Sequence, residues 1–521
     1  MTTTTALPPQ WAAAYERDHR QAPDAADPGP ERSAARLLAA FILAGLVFLA
    51  LPGTFMGVWN LVEISAHRAL AGASTAWIQA HGQAQVFGWV GSFILGISLY
   101  ILPKMRRARL RSMALAWATW ALWTVGVGWR WAAGVGAANW RMGLWIAPVL
   151  MMIAWAGSQY LLIFPQHGHR EKFPSDLGSL LGIVGFAGLG AALVVNWIAA
   201  WQLALHGSAP AYPPRLDRIV VELALWGFML PLAWGYSTRF VTVFLGLQPP
   251  RQHAAAALSA GVTALIVVLL AGQFWTADLL AVILVIAAIW TLRVYEPAAK
   301  PAKRQGVYRH YPAFIRASYG WLLAGALIGV AADAWPAHPG LGGAGRHALT
   351  VGFIATLIFA LGPRILPSFL SSRELFSSRL MAASLWLLNV GCLLRVISEI
   401  AAYGAATGWA WRFLPVSAFL ELAGVLAFVV NIALTAAQAP RAWFRPETMG
   451  VNVPLYWYVT SYPGTRRLLI AEGMGTLAKV RDVPRSLTLA EAAAADGLDA
   501  EAVLARLHDF FRQRQPRRAG A

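Results

Sequence analysis

The sequence is poor in charge and has a single cysteine. Only 13% of its 521 residues are charged, whereas a soluble domain carries about a quarter. The lone Cys392 excludes an intrachain disulfide and a thiolate-rich metal or iron–sulfur site, so any metal cofactor has to use histidine, methionine or carboxylate ligands. The sequence also has no glycine-rich phosphate loop and no zinc-binding His-Glu motif. An ordinary cytosolic enzyme is therefore excluded.

Long apolar runs are abundant. Hydrophobic residues make up 58% of the chain, and its mean hydropathy is +0.53. A run of about 20 apolar residues is long enough to cross a hydrocarbon core of about 30 Å as a helix. We predict an all-α polytopic membrane protein with twelve transmembrane helices. The predicted segments are 37–62, 82–103, 113–135, 142–164, 177–204, 219–246, 254–273, 277–295, 313–332, 347–367, 380–402 and 413–437.

The basic residues indicate the orientation in the membrane. The chain has 42 Lys and Arg residues against 24 Asp and Glu residues, which gives a net charge of +18. In a polytopic membrane protein such an excess marks cytoplasmic loops more often than nucleic-acid binding, so we predict no nucleic-acid partner. The loops on one side hold seventeen Lys and Arg residues and those on the other side hold seven. We therefore predict a bacterial inner-membrane protein with both termini in the cytoplasm.

Both ends of the chain are polar. Residues 1–36 have no signal-peptide core and are predicted to form a cytoplasmic tail, followed by a membrane domain at 37–437. Residues 438–521 are predicted to form a small α-helical cytoplasmic domain. In it, the Thr488 hydroxyl with Glu491 three residues later predicts a capped helix start, and residues 499–511 predict an amphipathic helix. From Thr460 onward the segment resembles a small helical domain of unknown function that recurs fused to redox and nitrosative-stress proteins.

Three of the predicted helices, spaced by four, share a local pattern. Helices 2, 6 and 10 carry the Gly–aromatic pairs Gly88-Trp89, Gly227-Phe228 and Gly352-Phe353, and helices 2 and 10 also end in Ile-Leu-Pro. The spacing predicts three four-helix units around a pseudo-threefold axis. Chance recurrence in a glycine-rich membrane protein is the alternative explanation.

Two histidines stand apart from the other nine, which lie in loops, tails or at helix ends. His81 and His347 lie near the outer ends of helices 2 and 10, at similar predicted depth. An ionisable residue at membrane depth is costly and usually faces the bundle interior with a partner. Two imidazoles on repeat-related helices suit the axial ligation of a haem iron. The alternative is a simple hydrogen bond from each imidazole to a neighbouring carbonyl group.

Other ionisable residues are predicted in the outer half of the membrane. Arg130 or Arg395 is a candidate partner for haem propionates, and Glu222 is a candidate proton carrier or metal ligand. Arg395 and Glu399 are four residues apart on one helix face and could instead neutralise each other.

The run AHGQAQVFGWVGSFILGISLYILPKM, from Ala80 to Met105, resembles the second helix of the haem–copper oxidase catalytic subunit. That family has twelve helices in a pseudo-threefold array, and its low-spin haem is bound by histidines of helices 2 and 10. The resemblance therefore implies that His81 and His347 are the haem ligands. Predicted helices 6 and 7 lack the histidines that bind copper in the oxidases, so we predict that this chain is not an oxygen-reducing terminal oxidase.

A closer resemblance is to the NnrS family, haem- and copper-containing membrane proteins of the nitric oxide response and denitrification. It rests on the His81 segment, on GFMLPLAWGYSTRFVTVFLG from Gly227 and on RHALTVGFIATLIFALGPRILPSFL from Arg346. The resemblance implies a haem, expected to be of b type, and copper. No clear cluster of copper ligands is present in the sequence, so the copper question stays open.

The sequence leaves other functions open. A haem with two histidine ligands suits electron transfer with a redox partner, and turnover of nitric oxide would require one histidine to leave the iron. A secondary transporter is the alternative, although three units of four helices fit the usual two-halved repeats poorly. A membrane sensor or assembly factor, whose C-terminal domain binds a cytoplasmic partner, is a third reading.

Overall fold

The computed structural model describes residues 7–21, 28–106, 108–137, 139–165, 176–304, 306–369, 375–404, 408–437, 450–461, 464–480, 483–484 and 486–514. The regular elements in these ranges are helices, and an isolated antiparallel bridge joins Pro454 to Thr488. The chain forms two compact units. The larger unit comprises Ser33–Leu370 and Leu375–Ala437, and the smaller comprises Met1–Arg32, Ser371–Glu374 and Gln438–Ala521.

Eleven helices in the described part of the larger unit are long and apolar enough to span a membrane. The chain is therefore a multi-pass membrane protein. One further long helix, α3, lies between the second and third of them. In chain order the helices are α1 Ser33–His67, α2 Thr75–Met105, α3 Met113–Gly134, α4 Trp140–Ile163, α5 Leu177–His206, α6 Pro214–Ser237, α7 Gln252–Leu270, α8 Phe274–Leu292, α9 Tyr311–Ala334, α10 Pro339–Phe369, α11 Ser378–Gly404 and α12 Gly408–Ala437.

Helix α3 is long enough to cross a membrane but less apolar than the other eleven. Five of its 22 residues are tryptophans, and Arg130 lies among them. An indole N–H and a guanidinium group lower the hydropathy of a segment without shortening it. The count of twelve transmembrane helices therefore stays a prediction, as does the cytoplasmic location of the two termini.

Helices α2 and α10 begin earlier than the predicted starts at residues 82 and 347. Helix α2 begins at Thr75. Its early part includes Gln79, a polar residue that hydropathy assigns to a loop but that is buried and bonded to the connection between α5 and α6. Helix α10 begins at Pro339 with a glycine-rich turn. A Cβ atom on Gly340 would lie 2.6 Å from the Glu399 carbonyl oxygen, so the small residues allow close packing on α11. Both candidate histidines therefore lie inside helices rather than at their starts.

Four of the helices contain a π-helical segment, a feature that is often found at functional sites. The segments are Leu49–Phe55 in α1, Ala84–Gly91 in α2, Leu223–Met229 in α6 and Ala348–Ala355 in α10. The glycines of the Gly–aromatic pairs lie within the last three. A Cβ atom on Gly88 would lie 2.6 Å from Phe48 of α1, and one on Gly352 would lie 2.6 Å from Trp321 of α9. The glycines thus permit α2 and α10 to pack closely on the preceding helix.

The neighbour pattern of the helices repeats three times. Helix α2 packs on α1, α6 on α5 and α10 on α9. Within the remaining pairs, α3 packs on α4, α7 on α8 and α11 on α12, and the successive groups meet through α4 with α5 and α8 with α9. Helix α12 packs against α1 and closes the ring. This arrangement places α2, α6 and α10 at equivalent positions in three groups of four.

The smaller unit has its own apolar core. Its C-terminal helices are α13 Leu455–Ser461, α14 Thr465–Ala471, α15 Gly475–Lys479, α16 Leu489–Ala495 and α17 Ala500–Arg514. The predicted capping box at Thr488 and Glu491 is confirmed, and α17 confirms the predicted amphipathic helix.

The N-terminal segment does not stand alone, although the sequence analysis treats residues 1–36 as a separate tail. Its helix Pro9–Gln21 buries Trp11 and Ala14 in the core of the smaller unit, and Arg17 forms an ion pair with Glu491 at 2.9 Å. Where the tail and the C-terminal segment lie relative to the membrane stays a prediction.

Candidate functional site

The His81 ring is held in one orientation by the backbone of α1. Its Nδ1–H donates a hydrogen bond of 2.8 Å to the carbonyl oxygen of Gly53, which lies in the π-helical segment of α1. A Cβ atom on Gly57 would lie 2.6 Å from Cε1 of the ring, so that glycine leaves the space that the imidazole occupies. With the proton on Nδ1, the lone pair of Nε2 is available to a ligand or a metal ion.

His347 lies directly before the π-helical segment of α10 and has a different partner. Its Nε2 is 2.7 Å from Oε1 of Glu421 on α12. A Cβ atom on Gly391 of α11 would lie 2.6 Å from Cγ of Glu421, so the glycine allows the glutamate to reach the histidine between the helices. His81 is bonded to α1 and His347 to α12, and α1 and α12 pack against each other. Both predicted histidines are therefore bonded to the same pair of neighbouring helices.

Arg395 belongs to this site but is already paired. Its Nη2 lies 3.2 Å from Oε1 of Glu399, four residues further along α11. Both side chains are mostly buried, and Oε2 of Glu399 has no hydrogen-bond partner among the described residues. The arrangement is the mutual neutralisation that the sequence left open as the alternative for Arg395.

Arg130 is only 1% exposed, and two of the three nitrogens of its guanidinium group have no hydrogen-bond partner among the described residues. Its Nε–H donates to the Tyr212 hydroxyl at 3.2 Å, and the guanidinium lies over the Tyr212 ring. Neither Nη1 nor Nη2 has a hydrogen-bond partner in the part of the chain that the structure describes. A Cβ atom on Gly134 would lie 3.2 Å from Nη1 and 2.9 Å from Cβ of Ala80, so the guanidinium lies beside the residue that precedes His81.

Tyr212 anchors a buried polar network around Arg130. Its hydroxyl donates to Oδ1 of Asn196 at 2.9 Å, and its backbone N–H and carbonyl group bond to the Gln79 side chain at 2.7 and 3.0 Å. Nδ2 of Asn196 has no partner in the described ranges. Tyr212 is not among the predicted site residues, because it lies in a connection between helices that hydropathy alone predicts to be exposed. Asp217 is a charged neighbour of both Arg346 and Arg130, so its negative charge is shared between the two arginines.

Glu222 lies in a separate cluster formed by the N-terminal parts of α6 and α8 and the C-terminal end of α9. Arg218 bonds to Glu222, to Asp333 at 2.8 Å and to Asp278 at 3.2 Å. The sequence analysis assigned no role to Asp278 and Asp333, although an aspartate inside the apolar run of α8 is a signal in itself. The structure does not bring Glu222 into contact with His81 or His347.

Copper has no evident ligand set in the described part of the chain. No group of three or more His, Cys, Asp and Glu side chains placed to hold a metal ion is found there. Helix α6 contains no histidine. Helix α7 contains one histidine, His253, in its first turn. The His253 ring packs edge-on against Trp290.

Comparison with known proteins relates the chain to one fold. Residues 239–437 match a family profile described as "Domain of unknown function (DUF8744)". No curated protein matches the sequence. The chain is similar in structure to a haem–copper terminal oxidase determined by cryo-EM as a dimer, with a TM-score of 0.61 and 13% sequence identity, over 92% of this chain and 99% of the oxidase chain. At this identity the likeness establishes the fold alone, which is that of a polytopic oxidase subunit.

Proposed function

We propose that this protein binds haem in the membrane, with His81 and His347 as the two axial ligands of the iron. The main support for this proposal is the arrangement of the two histidines. Two imidazoles on helices at equivalent positions of a threefold pattern are bonded to the neighbouring helices α1 and α12, and one of them is fixed by a backbone carbonyl with its Nε2 lone pair free. A hydrogen bond from the ring nitrogen that does not bind the metal fixes the tautomer and the ring orientation of a metal-binding histidine. The oxidase-like fold supports the same assignment.

The residues around the site fit a haem group. Haem carries two carboxylates, and a buried guanidinium with two unpaired nitrogens is the donor that a carboxylate prefers. Arg130 offers such nitrogens beside Ala80, whereas Arg395 is neutralised by Glu399. We therefore assign the carboxylate contact to Arg130 and treat Arg395 as a nearby structural ion pair. When bound, a haem of b type supplies a one-electron carrier.

The physiological role that we propose is of NnrS type, in the nitric oxide response or denitrification. It rests on the motif resemblance around His81, Gly227 and His347, together with the oxidase-like fold. The protein would lie in a bacterial inner membrane with both termini in the cytoplasm, where a redox partner or a partner of the C-terminal unit could reach it. The described residues of α6 and α7 do not supply the histidine set of an oxygen-reducing copper centre, so we do not assign that reaction.

Replacement of each histidine tests the assignment. His81→Ala and His347→Ala should each lose the haem or convert a low-spin, six-coordinate spectrum to a high-spin, five-coordinate one, because each removes a strong axial ligand. The matched control is His206→Ala, at the exposed end of α5, which should change neither haem content nor spin state. Optical spectra of the detergent-purified variants supply both readouts. Low-spin spectra at full haem occupancy in both histidine variants would contradict the proposal.

A further inference from the structure

A cavity of about 100 Å³ lies between α2, α6 and α10. These three helices hold equivalent positions in the ring, and they are its most buried members. In their most apolar stretches 83%, 67% and 78% of the residues are buried, against 39–50% in the other eight apolar helices. The cavity therefore lies in the interior of the membrane unit, away from its lipid-facing side.

The cavity begins where the π-helical segments of these helices end. Its wall starts at Val90, Met229 and Ile354, each of which is the last or the last but one residue of its π-helical segment. A π-helical turn contains one more residue than an α-helical turn, so it changes which side chains face the neighbouring helices. Because the irregularity recurs on three equivalent helices, the cavity follows from the threefold arrangement rather than from one packing defect.

The cavity is separate from the histidine site. His81 and His347 are not part of its wall. Val90 follows His81 by nine residues and Ile354 follows His347 by seven, which along a helix is a rise of about 10–14 Å. The wall then continues along α10 to Leu366, about 18 Å beyond Ile354. The cavity and the histidines therefore occupy different levels of the same helices.

The wall of the cavity is apolar. Among the described residues that form it, Tyr236 alone carries a hydroxyl group. That hydroxyl donates to the Ser98 hydroxyl, which in turn donates to the Ile94 carbonyl group, so neither proton is left for a guest. A buried water molecule needs roughly two to four polar partners. This wall does not supply them, so the cavity excludes water and ions.

We propose that the cavity binds small, uncharged, apolar molecules of the size of a diatomic gas or a xenon atom. An apolar cavity of about 150 Å³ in a protein interior stays dry and binds xenon, and the volume here is of the same order. A guest gives up no hydrogen bonds on leaving water and gains dispersion contacts with a wall that otherwise lacks them. An acyl chain of a lipid is disfavoured, because it would have to pass the outer helices.

Xenon pressure on crystals of the full-length protein tests this inference, because anomalous scattering locates bound xenon. The wild-type protein should hold xenon between α2, α6 and α10. Ala233→Leu should lose it, since Ala233 is part of the wall and the larger side chain fills the space. Ile358→Ala removes volume from the same wall and should raise the xenon occupancy, so it supplies a second readout if Ala233→Leu does not fold.

The matched control is Ala260→Leu, the same substitution at an exposed position of α7, which should keep xenon at the wild-type occupancy. An empty cavity in the xenon-treated wild-type protein, ordered water in it, or the continuous density of an acyl chain would overturn the inference. So would an unchanged xenon site in Ala233→Leu, or an occupancy in Ile358→Ala that does not rise. The measurement does not depend on haem, so failure of the proposed function is a separate result.

Discussion

At the scale of single residues, the structure separates two arginines that the sequence leaves equivalent. Both Arg130 and Arg395 are predicted to lie at membrane depth, where a cation needs a partner. Arg395 has Glu399 at 3.2 Å, but the two Nη groups of Arg130 are buried without a partner in the described ranges. Asp217 is a charged neighbour of Arg130 but is shared with Arg346, and a carboxylate brought by a ligand would satisfy the two free Nη groups.

Arg130→Gln should affect the haem-bound and the haem-free protein differently. In the haem-bound form it should weaken haem retention by about 1.5–3 kcal/mol, the usual worth of a hydrogen bond to a charged group. In the haem-free form it should change the melting temperature little, because the loss of the Tyr212 contact is offset by removal of a buried cation whose two Nη groups have no hydrogen-bond partner among the described residues. The measurements are the haem-to-protein ratio after dilution and the thermal unfolding of the haem-free protein.

Arg395→Gln is the comparison for that variant. Because it leaves Glu399 without its partner, it should destabilise the haem-free protein and change haem retention less than Arg130→Gln does. The reverse order of haem loss would transfer the carboxylate contact to Arg395.

How far the site could be predicted depends on whether a residue carries its own signal. His81, His347 and Glu222 are conspicuous because ionisable residues are rare in apolar runs. Tyr212 and Gln79 carry no such signal, since their importance comes from a loop that folds back over α2. The pairing of His347 with Glu421 joins residues 74 positions apart, and no local pattern encodes it.

At the scale of elements, the π-helical segments are the feature that hydrophobic periodicity does not encode. Three of the four segments carry a Gly–aromatic pair, with Gly88, Gly227 and Gly352, whereas the segment in α1 has none. A π-helical turn inserts a residue into the helix and rotates the side chains that follow it. Helices α2 and α10 begin seven or eight residues before their predicted starts for a related reason, because polar residues and glycines at their beginnings lower the hydropathy and therefore predict a loop.

The capping box of α16 gives a prediction about pH. Partial burial opposes ionisation of Glu491, but hydrogen bonds from the Thr488 backbone and hydroxyl and from Arg17 hold the pKa of that carboxyl below its usual value of 4.5. Its stabilising effect is therefore fully present above pH 4.5 and is lost as the pH falls through the lowered pKa. At pH 7, Glu491→Gln should speed amide exchange in residues 489–495 about twofold to fivefold.

Hydrogen-exchange mass spectrometry of the full chain supplies the measurement for that variant. The difference between Glu491→Gln and wild type should shrink as the pH falls below 4.5 through the lowered pKa of Glu491. Glu501→Gln, in the first turn of α17, is the matched control and should leave exchange in residues 489–495 unchanged. A difference that stayed constant down to the acid unfolding of the unit would mean that shape rather than charge stabilises this helix start.

At the scale of the whole membrane unit, the ring of three four-helix groups distinguishes this protein from a two-halved transporter. The ring closes through contact of α12 with α1, and α2, α6 and α10 occupy equivalent positions in it. The hydropathy of the sequence was sufficient to predict the order of the eleven long apolar helices, because each needs only length and apolar composition. It was not sufficient to predict which helices meet across the ring, since those contacts join distant parts of the chain.

The proposed haem, bound by His81 and His347, can be tested on the wild-type protein itself. The measurement is the optical spectrum of the detergent-purified protein, oxidised and reduced, with haem quantified as its pyridine complex. We predict about one haem of b type per chain and a low-spin spectrum in both oxidation states. A folded, colourless protein from cells supplied with haem would contradict it.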